Sequence, residues 1–141
     1  MILSSLIFIG CNKKRDDFSE IKKVLEKESA TWRAADVKGH SECWKIQPYS
    51  KILVSTGDGT VIDVPPGMMI NAPAESMGKG GTSINSNYKM NISNNNAWVS
   101  HEEESISREG KKSYSTEIRI LEKINGEWKL VGQSIHIYKP K

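Results

Sequence analysis

The stretch from Ala97 to Tyr138 alternates apolar and polar residues with a period of two, and a turn at Ile124-Asn125-Gly126-Glu127 breaks it. Successive side chains of a strand point to opposite faces, so this pattern specifies long strands with one packed face and one wetter face. Arg108-Glu109-Gly110 divides the stretch again and Asn94-Asn95-Asn96 precedes it. Both are turn chemistry, because Gly and Asn accept the backbone conformations that reversals need. The expected strands are 86–93, 97–106, 112–123 and 127–138. Upstream, segments 50–56 and 60–64 flank Gly57-Asp58-Gly59 and read as a hairpin stopped by Pro65-Pro66-Gly67. A chain with this ending folds around a sheet.

The first half follows a different period. Phe18, Ile21, Val24, Leu25, Glu28, Trp32 and Ala35 recur at helical spacing, and only Glu28 interrupts their apolar face. Asp17 followed by Glu20 has the form of a capping box and sets the expected start of that helix. A shorter second helix puts Val37, His40, Ser41 and Trp44 on one face and ends before Pro48. Residues 68–77 have the pattern of a short third helix crossed by Pro73. Helices first and a strand meander last give an α+β layout with the helices on one face of the sheet. At 141 residues, with no internal repeat or long linker, the chain holds one folded domain, expected over 18–141.

Composition removes several classes. The 20 Lys and Arg are scattered among 17 Asp and Glu, so the net charge of +3 forms no basic stripe for nucleic acid. Two cysteines exclude a disulfide-dense scaffold, and no CxxC or Cys/His spacing points to a metal. No cofactor is expected. At the N-terminus an apolar run, 2–9, leads into Gly10-Cys11 and then Asn12-Lys13-Lys14-Arg15. Eight residues cannot cross a bilayer, which takes about 20 in a helix. The run fits the hydrophobic region of a signal peptide, 1–10, followed by a tether, 11–17. Phe8-Ile9-Gly10-Cys11 resembles the bacterial lipobox, which implies export and lipidation at Cys11, hence a lipid anchor in the cell envelope. No Lys or Arg precedes the run, and a start codon upstream of Met1 would explain the missing basic segment. Cys43 is then the remaining thiol, and its helical setting reads as core.

Glu117-Ile118-Arg119 on one strand, then Gly126 and Trp128 across the turn, then Gly132 to His136 form one spaced signature. Together with the element order, it resembles the nuclear transport factor 2-like superfamily, including SnoaL-like polyketide cyclases and the association domain of calcium/calmodulin-dependent kinase. The resemblance implies a cone of N-terminal helices packed on a strongly curved antiparallel sheet that encloses a pocket. In the association domain, pocket histidines often stand four and six residues after the Trp; here Gly132 and Ser134 occupy those places and His136 follows.

The resemblance turns Trp128, Leu130, Gly132, Ser134 and His136 toward the pocket and Lys129, Val131, Gln133, Ile135 and Ile137 away from it. It also turns His101, Glu103, Glu117 and Arg119 inward. The implied pocket is therefore His101, Glu103, Glu117, Arg119, Ser134 and His136, roofed by Trp32 and Trp44. A carboxylate beside an imidazole in an apolar cavity can act as an acid–base pair, which makes His136, His101 and Glu103 the catalytic candidates. Arg119 can clamp a carboxylate or phosphate with parallel hydrogen bonds, or can close an ion pair with a neighbouring Glu. Glu102-Glu103-Glu104 invites comparison with the acidic pair of a glycoside hydrolase, but adjacent strand residues face opposite sides, and a solvated charged strand is the plainer reading.

These observations converge on a lipid-anchored domain that binds a small, partly apolar ligand without turnover. A SnoaL-like isomerase, cyclase or dehydratase using cofactor-free proton transfer is the alternative, and a dimerisation or interaction module is the third. A homodimer is expected through the outer sheet face, where Val131, Ile135, Ile137, Ile118 and Ile120 would form an apolar patch.

Overall fold

The computed structural model describes residues 10–140, with side chains from Asp16 onward. The signal segment 1–10 (but for the backbone of Gly10) and the Cys11 side chain lie outside the described residues. Helix α1 spans Gly10–Arg33 and α2 spans Val37–Ser41. Strands β1 (Ile52–Ser55) and β2 (Val61–Val64) form the hairpin, and α3 (Met68–Asn71) follows. The chain closes with β3 (Thr82–Ser93), β4 (Asn96–Ile106), β5 (Lys112–Ile124) and β6 (Glu127–Tyr138).

The six strands form one open sheet in the order β2-β1-β6-β5-β4-β3. The expectation of an antiparallel sheet needs correction at one seam: β1 runs parallel to β6, with Ile52 opposite Gln133 and Val54 opposite Ile135. A long connection makes this possible, since parallel neighbours cannot be joined by a tight turn. The Asn125-Gly126 turn between β5 and β6 has positive φ at both residues, 52° and 83°, the geometry that this dipeptide accepts most readily.

Helix α1 lays Ile21, Leu25 and Glu28 on the concave face of the sheet, where all three are buried. The helix begins upstream of the expected start, so 11–17 continues it and Asp17 is no cap. Asp17 instead accepts from the indole N–H of Trp128 at 3.0 Å and from Lys123 Nζ at 2.6 Å, tying the helix to β5 and β6. Phe18 falls off the packed stripe and is 43% exposed. The second helix is shorter than its pattern suggests. Asp36 caps it by accepting from the Gly39 N–H at 2.9 Å, and Trp44 lies beyond its end, bridged in parallel to Leu130. Pro73 ends the third helical pattern: the chain extends at Ala72 and Pro73 before a single 3-10 turn at Ala74–Ser76. Among the described residues no helix is long and apolar enough to cross a membrane.

Candidate functional site

A cavity of about 620 Å³ lies between the C-terminal half of α1 and the concave sheet. Its volume is in the range of small-molecule sites. Strand alternation gives it two unlike walls. Arg119, Glu117, Ser115 and Ser113 on β5, with Glu103 and Ser105 on β4, make a polar wall. Ile135 and Ile137 on β6, with Ile52 and Val54 on β1 and Val64 on β2, make an apolar one. Trp32 joins the lining from α1.

The apolar wall exists because of a β-bulge. Ile120 pairs with Gly132 but its neighbour Leu121 pairs with Leu130, so Val131 is the extra residue. An extra residue reverses the alternation beyond it. Trp128 and Leu130 face the helices as the pattern implies, but downstream the two sets exchange sides. Gln133, Ile135 and Ile137 line the cavity, while Ser134 and His136 do not. Ser134 and His136 instead hydrogen-bond to each other at 2.9 Å in an exposed position. The outer apolar patch changes accordingly: Val131 is buried, and of its expected members Ile118 and Ile120 remain on the outer face, joined by Trp98 directly opposite Ile120.

An ion network closes the floor of the cavity. Arg119, 4% exposed, donates through Nε to Glu117 at 2.9 Å and through Nη1 to Glu28 at 3.2 Å. It also donates to the Gln133 side-chain carbonyl, and its Nη2 makes a second bond to Glu117. Ser115 donates to the other Glu117 oxygen at 2.8 Å. These bonds commit Arg119 to protein partners, so it is an internal counter-ion and not a free anion clamp. Burial opposes its charge, but Glu117 and Glu28 raise its pKa further.

His40, 1% exposed, completes the network from α2. Its Nδ1 lies 2.9 Å from the Met69 carbonyl, which can only accept, so Nδ1 carries a proton. Its Nε2 lies 3.0 Å from Glu28 Oε1, and one proton must sit on that axis. Burial alone would push Glu28 up, but Arg119 and His40 outweigh it and hold the carboxyl below its ordinary value. Glu28 is therefore held between two partners, His40 at Oε1 and Arg119 at Oε2.

The remaining expected site residues divide. Glu103 lines the cavity and accepts from Ser29 and Ser105, each at 2.5 Å, with Arg33 3.5 Å away. Its neighbours Glu102 and Glu104 pair with Asn87 and Lys112, away from the cavity lining. His101 is buried below the polar wall but outside the lining; it stacks on Tyr88 at 5.1 Å and lies 3.5 Å from Glu117, and neither ring nitrogen makes a hydrogen bond of good geometry. Burial and the Arg119 charge lower its pKa. Trp44 is packed in the core and does not roof the cavity. Cys43 is buried, and burial pushes its thiol up to about 11, so it stays protonated and unreactive. Among the described residues no group of His, Cys, Asp and Glu is placed to hold a metal.

Sequence reasoning missed Glu28, His40, Gln133, Ser29 and Arg33 as lining residues. Two of them left a signal: Glu28 is the single interruption of the α1 stripe, and His40 shares the packed face of the second helix.

No family model matches the sequence, and no curated protein matches it either. Solved structures do match. A nuclear transport factor 2-like protein of unknown function from Shewanella baltica superposes with a TM-score of 0.68 at 15% identity, over 96% of this chain and 100% of its own. A protein described as a candidate scytalone dehydratase from Novosphingobium aromaticivorans gives 0.68 at 13% identity, over 91% and 88%. A candidate calcium/calmodulin-dependent kinase II association domain from Exiguobacterium sibiricum gives 0.59 at 12% identity, over 89% and 95%. With helices packed on an open six-stranded sheet whose meander β6-β5-β4-β3 runs out to one edge, and with these superpositions, this chain has the nuclear transport factor 2-like fold.

Proposed function

We propose that the domain binds a small, partly apolar ligand in the cavity between α1 and the sheet, and does not turn it over. One observation carries this reading: the cavity is large enough for a ligand, yet each of its lining carboxylates, Glu28, Glu103 and Glu117, is already bonded to a protein donor. A general base has to be free to take a proton. Here Glu28, Glu103 and Glu117 all accept bonds from protein donors, and both nitrogens of His40 are engaged. Apolar side chains on one wall and oxygens on the other suit a ligand that is itself two-sided.

The test is displacement of an environment-sensitive dye by a panel of small amphiphiles. Ile135→Trp projects a larger ring into the cavity from a partly exposed strand position. It is expected to weaken dye and ligand binding by at least about tenfold while secondary structure is kept, since rigid pockets reject added bulk. Unchanged binding in Ile135→Trp, or no binding by the parent protein, would defeat the reading.

A second reading has its own support. His40 and Glu28 form an imidazole–carboxylate pair on the cavity wall, and one structural neighbour is described as a dehydratase. Turnover of a small carbonyl compound that disappears in Glu28→Gln would replace binding by proton-transfer catalysis. The third reading, a dimerisation module, draws on Trp98 and Ile120, adjacent on the outer face and each 45% exposed. We propose a homodimer through that face; sedimentation at micromolar concentration tests it, a monomer counting against it. The Gly10-Cys11 motif supports export and lipid anchoring at Cys11, which an unmodified Cys11 thiol in cell-derived protein would exclude.

A further inference from the structure

A glutamine amide has a carbonyl end and an amino end, and at the floor of this cavity the two are not interchangeable. Gln133 is 8% exposed and lines the cavity at the foot of the apolar wall. Its Oε1 accepts from Arg119 Nη1. A guanidinium can only donate, so rotating the amide would set donor against donor. Arg119 cannot yield, because Glu117 and Glu28 hold its other bonds. Nε2 is left with a single hydrogen-bond partner among the described residues, the Met69 thioether at 4.0 Å. Sulfur of that kind is a weak acceptor, and Nε2 carries two N–H groups. A buried donor held in one orientation by an ion network is costly to leave unmet.

Charge decides what can meet it. Beside Gln133 the one guanidinium, Arg119, is already shared by the carboxylates of Glu28 and Glu117. An anionic ligand finds no spare cation at this end and would have to be desolvated without compensation. A neutral oxygen only has to accept. The geometry points to Gln133 as the specificity-determining residue of the cavity: its Nε2 donates to an uncharged carbonyl or ether oxygen of a ligand whose apolar face lies along Ile135 and Val54. On β6, Gln133, Ile135 and Ile137 climb from the buried floor to an exposed rim, a rise of about 13 Å at strand spacing. The oxygen therefore enters first and the apolar body follows. This assignment rests on the ligand-binding reading above.

The test uses shape-matched probes, tetralin and its ketone 1-tetralone, with 1-naphthoate as the charged comparison, each competing against the dye. The parent protein should bind 1-tetralone at least about tenfold more tightly than tetralin, the scale expected when one buried hydrogen bond is made or missed. 1-Naphthoate should bind less tightly than 1-tetralone. Gln133→Met removes the donor at similar volume and should bring the ketone-to-hydrocarbon ratio to near one. Gln133→Asn keeps the amide but shortens its reach, and should lower the same ratio if the methionine variant folds poorly. A ratio near one in the parent protein, or a ratio that survives both substitutions, overturns the assignment while leaving the cavity a binding site. Failure of every probe to bind overturns the cavity reading and this assignment together.

Discussion

Replacing Arg119 by Ala is expected to cost about 3–5 kcal/mol of stability, a large share of the roughly 5–15 that holds a domain together. The reason is what stays behind. Glu117 and Glu28, at 3% and 5% exposure, would lose the guanidinium they share, keeping only the bonds from Ser115 and His40, and the Gln133 carbonyl would lose its donor. An unpaired buried charge is far more costly than the net gain from the intact pair. His136→Ala is the control. Its side chain is exposed and bonded only to Ser134, so its effect should stay within about 0.5 kcal/mol. Denaturant melts of the two variants check both values. Similar small losses would mean that the network is more hydrated than its burial implies.

Acid should unfold the protein in two stages. His101 has its pKa lowered in the folded state by burial and by Arg119, so the folded form prefers the neutral ring. The unfolded chain binds the extra proton more readily, and stability tied to His101 is complete above the ordinary value of 6.5 and falls as pH drops below it. Glu28 acts lower on the scale. Its folded pKa is also depressed, so its contribution is complete above 4.5 and is lost as pH falls through the folded value. Melting temperature should therefore decline gently below about pH 6.5 and steeply below about pH 4.5. His101→Phe, which keeps a flat ring against Tyr88, should remove the gentle stage and leave the steep one. A first stage that persists in His101→Phe assigns it to another group.

Much of the fold could be read from residue order. The alternation from Ala97 onward, with Asn-Gly and Glu-Gly at the reversals, is local information: each strand states its own period and each turn its own chemistry. The inward direction of His101, Glu103, Glu117 and Arg119 followed from that period together with the family resemblance. Three features were not legible, for a shared physical reason. The parallel seam of β1 on β6 pairs residues 81 apart, such as Ile52 with Gln133, and no residue in either strand announces its partner. Glu28 looked like a flaw in an apolar stripe because its counter-ion, Arg119, is 91 residues away. The bulge at Val131 sits in Leu130-Val131-Gly132, where two apolar residues and a glycine give no sign of which one is extra. Expectations for Ser134, His136, Ile135 and Ile137 therefore came out on the wrong sides of β6, while those for β4 and β5 did not.

That doubled position on β6 makes the character of the cavity depend on chain length as well as on side-chain identity. Everything from Gln133 to Tyr138 takes its facing from one residue that has no opposite number on β5. Losing it would turn Ser134 and His136 inward and send Ile135 and Ile137 out, exchanging an aliphatic wall for a hydroxyl and an imidazole without replacing one side chain. A single-codon deletion could thus carry this scaffold from holding a greasy molecule to offering it a proton acceptor.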